Sequence, residues 1–529
     1  MKGYKELRLG ELSVEQKLGL TMIAYLSDEN ESFNFAMELV KKHALGGIWV
    51  PPRFHNARRM IERIKDAADY PILVFTDAEG GIGEYMIGKH NAIGVAARPE
   101  LSYTFGKVVG SVASEMGYNV VCDPVLDMVN GNMACAASDR SLGNDKEKVR
   151  ELAISMVRGM HDGGVLSVAK HYPGSASGDY DMDSHMAETS STDTKEELLD
   201  YNLYPYIALL REGLLDGIMT KHTRFENIDP DYPASLSEKV IGVIREEGFD
   251  GFAMTDALCM MGVLAKFGKT KTLALAIANG NDLSLPYNED NRFCYEALLE
   301  WYNKGLIRDE RLDEAVRRVL EAQHKVTKLP RGSVITDEDK ANFQRINTDS
   351  IYAITDEGIE PSISRDGRHF FAVMLDQTYG HSTDETPAVD TITTKWYMPE
   401  AIRERLNRLF PNSRVDTIYE LPTRSEVVRV LEDNLDYEDL IFITFFSGGP
   451  YKGREHFTPR ILTVMDALQA TDRMSTVVHL GNPYVLEDIP HVKRIIAGHS
   501  SSESCMNALD VLAGIRPALG KPTYDVKLK

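Results

Sequence analysis

The segment AKHYPGSASGDYDMDSHMAE, residues 169–188, concentrates proton-transferring side chains around one loop. Lys170 and His171 end an apolar run, and Asp183 and His185 follow a stretch of Gly, Ser and Asp. Because such a stretch turns more readily than it packs, we expect a surface loop that carries an imidazole and several carboxylates. These groups exchange protons near neutral pH, and loops on rigid scaffolds often carry function. The alternative hypothesis is a solvated insertion whose histidine has no role.

Further polar residues stand at the ends of predicted strands. Taken singly, each could be a helix cap or a solvated residue. Their repetition across successive strands favours an active site. The residues are Asp77, Asp123, Asp127, Lys170, His171, Lys221, His222, Asp256 and, at the start of the last apolar run, Asp282.

Short apolar runs that alternate with amphipathic stretches must position these side chains. Eight strand-then-helix units over about 300 residues predict an α/β fold of the (β/α)8 TIM-type barrel class, with an open doubly wound sheet as the alternative. A barrel gathers its chemistry at the carboxyl ends of the strands, where most of these polar residues fall. The candidate strands are 20–26, 47–50, 72–76, 119–124, 166–170, 217–222, 251–255 and 282–286.

The pattern changes after Leu329. Residues 331–366 are polar and low in apolar density, which predicts a linker between domains. Residues 367–529 alternate strands and helices again, which predicts an α/β/α sandwich after the barrel of residues 1–330. The candidate strands of the sandwich are 369–375, 415–419, 440–446, 476–480 and 494–497.

Composition limits the partners. A net charge of -21, from 59 Lys and Arg against 80 Asp and Glu, argues against nucleic acid or an anionic membrane. The start, MKGYKELRLGELSVEQKLGL, lacks the apolar core of a signal peptide, and no apolar run reaches the length of about 18 residues that a membrane span requires. We therefore expect a cytoplasmic protein.

In order and spacing, the motifs resemble glycoside hydrolase family 3, particularly its β-N-acetylglucosaminidase (NagZ-like) branch. KHYPG followed by DSH and then TDAL is specific in combination. The distal GNPYVLEDIP (481–490) and ALDVLAGIRPALGKPTYDV (508–526) are similar to that family's second domain, so the resemblance covers nearly the whole chain. The motifs are DAEGG (77–81), DPVLDM (123–128), RSLGND (140–145), AKHYPG (169–174), DSH (183–185), MTKH (219–222), PASLS (233–237) and GFDGFAMTDALCMMGV (248–263).

The resemblance implies roles for individual residues. Asp256 matches the nucleophile, and His185 matches the acid/base of this branch, with Asp183 as its orienting partner. Neither a metal nor a cofactor is implied. The positions that match the sugar-binding residues are Asp77, Arg140, Lys170 and His171, with His222 expected to line the same pocket.

The sequence departs from the family pattern at two places. The common KHFPGHG form reads KHYPGSASG here, and the GGRV that usually follows the DxEGG-like motif reads Gly81-Ile82-Gly83, without the arginine. Both changes bear on specificity at the 2-acetamido group more than on the chemistry. Other branches take the acid/base carboxylate from the second domain, and Glu455 is the competitor for that role here.

The implied activity is that of a retaining exo-β-N-acetylglucosaminidase acting on small β-linked GlcNAc glycosides or muropeptide fragments of peptidoglycan. A neutral histidine would not repel phosphate as a carboxylate would, so a retaining phosphorylase is an alternative hypothesis. A non-catalytic carbohydrate-binding homologue is the third, although such a protein has no need of Asp256, Asp183 and His185 together. Composition leaves the oligomeric state open.

Overall fold

The computed structural model describes residues 4–129, 138–174, 182–288, 290–330, 332–375, 399–446 and 456–526. Internal contacts divide the chain into two compact units. The first consists of Met1–Tyr85, Ser102–Met128 and Asp145–Lys340, and the second of Met86–Leu101, Val129–Asn144 and Ala341–Lys529.

A curved parallel sheet forms the centre of the first unit. Its eighth position is a pair of single-residue bridges, in which Leu283 pairs with Met254 and Ser284 pairs with Met22. These bridges join the last strand of the sheet to the first and close the ring. The strands described around the ring are Ile23–Tyr25, Gly47–Trp49, Leu73–Thr76, Val120–Val121, Leu166–Tyr172, Gly217–Thr220 and Phe252–Thr255.

The interior of the ring is filled by large side chains set against glycines. The rings of Phe75 and Phe252 meet edge to face, with their centroids 6.3 Å apart. A Cβ on Gly47 would lie 2.6 Å from the Phe75 ring, and one on Gly217 would lie 2.5 Å from the Phe252 ring. The two glycines therefore make the space that the two aromatic rings fill, as a packed barrel core requires.

Helices follow the barrel strands in the order that the sequence predicts. Ala57–Ala67 is typical, because its apolar residues Met60, Ile61 and Ile64 are buried and its charged residues face outward. Among the described residues no helix is both long enough and apolar enough to cross a bilayer. The principal helices that begin between residues 14 and 340 are Val14–Leu20, Glu31–Lys41, Ala57–Ala67, Asn91–Ala96, Pro99–Met116, Lys146–Asp162, Tyr204–Arg211, Glu238–Glu246, Met261–Phe267, Lys269–Ala278, Asn291–Asn303, Asp309–Val326 and Asp337–Asp349.

Two short two-stranded sheets lie outside the ring. Thr189–Ser191 pairs in parallel with Thr223–Phe225, and Gly81–Ile82 pairs with Tyr85–Met86. Both pairings follow barrel strands, so they shape the loops that carry the polar residues.

Asp282 fastens the closing position of the barrel. Its fully buried carboxylate accepts hydrogen bonds from the Ala253 N–H at 2.9 Å, from Arg245 at 2.9 Å and from Arg311 at 2.6 Å. The sequence pattern grouped Asp282 with the residues at the strand ends, and that grouping is wrong. Asp282 lies before Leu283 and Ser284, at the amino end of the closing strand position. Its carboxylate is bound by the arginines and by the Ala253 N–H.

A mixed sheet forms the centre of the second unit. Its strands lie in the order Tyr352–Thr355, Arg494–Gly498, Met474–Gly481, Asp439–Phe446, His369–Leu375 and Arg414–Tyr419. The first is an antiparallel edge strand and the others are parallel. Its later helices are Pro399–Leu409, Arg424–Asp433, Pro459–Ala470 and Ser502–Leu512.

Every residue of His369–Leu375 is buried, which is typical of a parallel strand covered on both faces. The predicted fold class, an N-terminal TIM-type barrel followed by a C-terminal α/β/α sandwich, is confirmed.

The arginine cluster generates the first prediction. We expect Asp282→Ala to lower the free energy of unfolding of the barrel by about 3–5 kcal/mol, because it leaves Arg245 and Arg311 without a buried counter-charge. Asp250→Ala is the matched control. Asp250 also pairs with arginines, but its side chain is 59% exposed, so its loss should cost about 1 kcal/mol or less. Urea unfolding of both variants checks this, and equal losses would contradict it.

Candidate active site

The carboxyl ends of the barrel strands carry most of the predicted site residues. Asp77 directly follows Leu73–Thr76, and Asp256 directly follows Phe252–Thr255. Lys170 and His171 lie near the end of Leu166–Tyr172. Because carboxyl ends of parallel strands meet at one rim of a barrel, these side chains share that rim.

Asp183 and His185 form a pair within one turn of the loop after Leu166–Tyr172. Asp183 Oδ1 accepts a hydrogen bond from the His185 backbone N–H at 2.9 Å and lies 2.7 Å from His185 Nδ1. The carboxylate is almost fully buried, whereas the imidazole is partly exposed. This contact orients the ring and assigns the Nδ1 proton to the bond with Asp183, so that the proton available for transfer is carried on Nε2.

Asp256 is a half-buried carboxylate held at the strand end by its own backbone. Its Oδ1 accepts a hydrogen bond from the Ala257 N–H at 2.7 Å. Burial raises the pKa of Asp256, but nearby His171, His222 and His185 and the Ala257 N–H lower it by more. The net effect is a pKa below the ordinary value, so Asp256 is ionised at neutral pH. Three histidines that were predicted as site residues thus lie within electrostatic reach of this carboxylate.

His222 uses both ring nitrogens within the protein. Nε2 donates to the Ala257 carbonyl at 3.0 Å, and Nδ1 accepts from the Ser235 hydroxyl at 2.8 Å. Burial lowers the pKa of His222, and the charge of Asp256 offsets this only in part. The ring is therefore neutral and holds the peptide that follows Asp256. Its expected contact with sugar stays a prediction.

Lys170 is a buried cation between two carboxylates. Its Nζ lies 2.5 Å from Asp77 Oδ1 and 2.5 Å from Glu79 Oε1. The Asp77 side chain is 52% exposed and Glu79 is mostly buried. Lys170 thus fixes Asp77 at a solvent-accessible position. Glu79 is the mostly buried counter-charge of the Lys170 ammonium group. Glu79 was missed as a site residue, although it lies in the DAEGG motif.

Asp127 joins two other strand ends through its two oxygens. Oδ2 lies 2.6 Å from His171 Nδ1 and also accepts the His171 backbone N–H, whereas Oδ1 lies 3.2 Å from Lys221 Nζ. Burial raises the pKa of Asp127, but Lys221 and His171 lower it much further, so the carboxylate stays ionised. The sequence pattern predicted that Asp127 and Lys221 lie at strand ends, but it did not predict that they contact each other.

Arg140, the altered SASG stretch and Glu455 are the remaining features that the sequence analysis singled out. Arg140 ends the short helix Ser138–Arg140, which belongs to the second unit. The altered SASG stretch and Glu455 lie outside the described residues. No group of three or more His, Cys, Asp or Glu in the described ranges is arranged to hold a metal ion.

An ionised carboxylate and a carboxylate-paired imidazole at the carboxyl rim of a barrel are groups that can cleave a glycosidic bond. These groups on this fold indicate a glycoside hydrolase. Residues 11–322 match the family described as glycosyl hydrolase family 3 N terminal domain. The chain belongs to glycosyl hydrolase family 3.

Curated relatives are similar to this chain at 25–28% identity. A β-hexosaminidase from Tolumonas auensis is 28% identical over 283 residues, which cover 50% of this chain and 81% of that protein. A β-N-acetylglucosaminidase/β-glucosidase from Cellulomonas fimi is 25% identical over 384 residues, covering 67% of this chain and 66% of the other.

Solved structures match over nearly the whole chain. A family 3 β-N-acetylglucosaminidase from Paenibacillus sp. superposes with a TM-score of 0.80 at 25% identity, covering 98% of this chain and 100% of the other. A β-glucoside phosphorylase superposes with a TM-score of 0.78, covering 98% and 94%; at 21% identity it shows the fold alone.

The Asp127 bridge generates the second prediction. We expect Lys221→Met to lower the free energy of unfolding by about 3–5 kcal/mol near pH 7, because it leaves a buried carboxylate with one partner fewer. Adding Asp127→Asn should recover part of that loss, since the uncompensated charge is then gone.

The pH dependence of this loss has a defined sign. The pKa of Asp127 is depressed in the folded protein, so its stabilising contribution is present above the unfolded value of about 3.9 and declines as the pH falls. The gap between wild type and Lys221→Met should therefore narrow towards about pH 3. Urea unfolding across this range checks the prediction, and a gap that widens in acid would contradict it.

Proposed function

We propose that the protein is a retaining exo-β-N-acetylglucosaminidase in which Asp256 is the nucleophile, His185 the acid/base and Asp183 its orienting partner. The observation that carries the proposal is the Asp183–His185 pair, 2.7 Å apart, within electrostatic reach of an ionised Asp256. The names of the β-hexosaminidase and β-N-acetylglucosaminidase relatives support the choice of sugar.

The first step forms a glycosyl ester. A carboxylate oxygen of Asp256 attacks the anomeric carbon while the bond from that carbon to the leaving oxygen breaks. The leaving oxygen takes the proton from His185 Nε2, and the bond electrons go with it. The ionised state of Asp256 suits it to this role, since a protonated carboxyl is a poor nucleophile.

The second step reverses the proton transfer. Water attacks the anomeric carbon and gives a proton to His185, and the ester bond to Asp256 breaks. Two displacements at one carbon give net retention. Asp183 stabilises the charged imidazolium that is present before the first transfer and forms again after the second, as a buried carboxylate does for a histidine base.

Sugar hydroxyls require directional polar groups on rigid elements. Asp77, fixed by Lys170 and more than half exposed, can accept from two adjacent hydroxyls. His171, held by Asp127, is placed near the nucleophile. We propose that these residues and His222 bind the terminal sugar, and the family resemblance implies the same role for Arg140.

The finer assignments follow from the resemblance in sequence. We propose muropeptide fragments from peptidoglycan recycling as natural substrates, and a cytoplasmic location. We also propose domain boundaries at 1–330 for the barrel, 331–366 for the linker and 367–529 for the sandwich, with the linker contributing the helix Asp337–Asp349 and the edge strand Tyr352–Thr355.

A second candidate function is phosphorolysis. The Asp183–His185 pair favours it in one respect, since a neutral imidazole does not repel an incoming phosphate as a carboxylate would. Phosphate would then replace water in the second step and yield a sugar 1-phosphate.

The third prediction concerns the nucleophile. We expect Asp256→Asn to lower kcat on 4-nitrophenyl β-N-acetylglucosaminide by about 10³-fold or more, because an amide cannot form the ester. Binding of GlcNAc, measured by calorimetry, should persist. Asp200→Asn, at a carboxylate that is 83% exposed, is the control and should keep wild-type rates. A variant at Asp256 that keeps a substantial fraction of the rate would contradict the assignment.

The fourth prediction separates the candidate functions. Initial rates of the wild type on the β-N-acetylglucosaminide and on the matching β-glucoside should favour the acetamido sugar and should not rise on addition of phosphate. Marked acceleration, with a sugar 1-phosphate detected by phosphorus NMR, would establish the phosphorylase. Sugar binding without turnover of either glycoside would favour the non-catalytic homologue.

A further inference from the structure

The loop that carries His185 rests on the chain segment that follows Asp256. The Met261 N–H donates to the His185 carbonyl at 3.2 Å, and the Gly262 N–H donates to the Ser184 carbonyl at 3.0 Å. Both donors open the helix Met261–Phe267, where backbone N–H groups lack partners within the helix. The loop therefore supplies the acceptors that this helix needs.

Gly262 permits this approach because it lacks a side chain. A Cβ at that position would lie 2.7 Å from the Ser184 carbonyl oxygen and 3.0 Å from the Ala187 carbonyl oxygen. Real Cβ atoms essentially never come within 3.0 Å of another heavy atom, and a backbone carbonyl cannot give way as the flexible end of a side chain can. Any larger residue must therefore change the separation between the loop and the start of the helix.

The loop itself is too tightly bonded to absorb such a push locally. The Asp183 carbonyl accepts from the backbone N–H groups of Met186 and Ala187 at 2.9 Å and 3.0 Å. The Asp183 carboxylate holds both the backbone and the ring of His185. Displacement of the Ser184 and His185 carbonyls therefore moves the imidazole with them.

The segment between Asp256 and the helix is tightly bonded as well. The Ala257 N–H binds the Asp256 carboxylate, the Leu258 N–H donates to the Leu285 carbonyl at 2.9 Å, and the Met260 N–H donates to the Ala257 carbonyl at 3.2 Å. Hydrogen-bonded backbone therefore connects Asp256, through residues 257–262, to the loop that carries His185.

We propose that Gly262 is a positioning residue that, with the Met261 N–H, sets the distance between the His185 imidazole and the Asp256 carboxylate. This inference rests on the proposed function for the roles of those two groups. It adds that one short segment aligns both reacting groups, so that a substitution touching neither can disable proton transfer alone.

The test is Gly262→Ala, compared with His185→Ala and with a matched control. Gly242→Ala is the control, since Gly242 also lies in a barrel helix, Glu238–Glu246, and a Cβ there meets nothing within 4 Å. Circular dichroism and thermal unfolding of all three variants verify that the barrel is folded.

The readout is the dependence of kcat/KM on the leaving group. A phenyl β-N-acetylglucosaminide needs an acid to protonate its leaving oxygen, whereas a 2,4-dinitrophenyl one leaves without help. We expect Gly262→Ala to lower kcat/KM on the phenyl substrate by about 10²-fold, as misplacement of a catalytic group by about 1 Å does. On the dinitrophenyl substrate the loss should be below about 3-fold, because the nucleophile is undisturbed. Gly242→Ala should match the wild type on both.

A second variant tests the hydrogen bond without relying on added bulk at Gly262. Met261→Pro removes the N–H that donates to the His185 carbonyl, and proline is tolerated at the first position of a helix. The preceding residue, Met260, has φ -69° and ψ 140°, which a following proline allows. This variant should show the same leaving-group dependence as Gly262→Ala.

The outcomes separate the inference from the function on which it rests. If His185→Ala loses activity selectively on the phenyl substrate but Gly262→Ala and Met261→Pro do not, the positioning role is wrong and the function stands. If Gly262→Ala loses activity equally on both substrates, its effect is general disruption and the inference is overturned. If His185→Ala itself shows no leaving-group dependence, the acid/base assignment fails, and the positioning role fails with it.

Discussion

Closure of the parallel sheet at Leu283 and Ser284 is the constraint on which the site depends. In an open sheet, Leu73–Thr76 and Phe252–Thr255 would lie four strands apart, or about 19 Å at about 4.8 Å per strand. In this barrel the rings of Phe75 and Phe252 touch across the interior. Asp77 and Asp256 follow those two strands directly, so a ring that failed to close would separate the proposed sugar-binding carboxylate from the proposed nucleophile.

Within that rim, every described charge that the proposed mechanism uses has a partner that fixes its position. Lys170 holds Asp77, and Asp183 holds His185. Buried charges are costly unless paired, so these contacts do not add much stability; they hold donors and acceptors where charge develops during the reaction. The mechanism therefore requires little rearrangement of the described groups.

The sequence predicted the elements that are buried on both faces. His369–Leu375 was predicted with its observed bounds, because a continuous apolar run marks a central parallel strand. Tyr352–Thr355 was missed, since it is a half-exposed antiparallel edge strand inside a polar segment that was predicted as a linker. Local apolar density carries no signal for a strand of that kind.

For the site as well, some residues could be predicted from the sequence, whereas contacts between distant segments could not. Motif order singled out Asp183, His185 and Asp256, and the family resemblance implied that the first two interact. The contact of Asp127 with Lys221 joins residues 94 positions apart, and the role of Gly262 depends on a loop from another strand. Periodicity and composition describe one segment at a time, so contacts between distant segments need the folded structure.

The proposed reaction depends on a covalent bond between Asp256 and the sugar. The most direct measurement is mass spectrometry of the protein after reaction with a 5-fluoro-N-acetylglucosaminyl fluoride, which forms the ester readily and releases it slowly. We expect a single added glycosyl group, mapped by peptide sequencing to Asp256. A label on another residue, or turnover to an inverted product with no labelled protein, would contradict it.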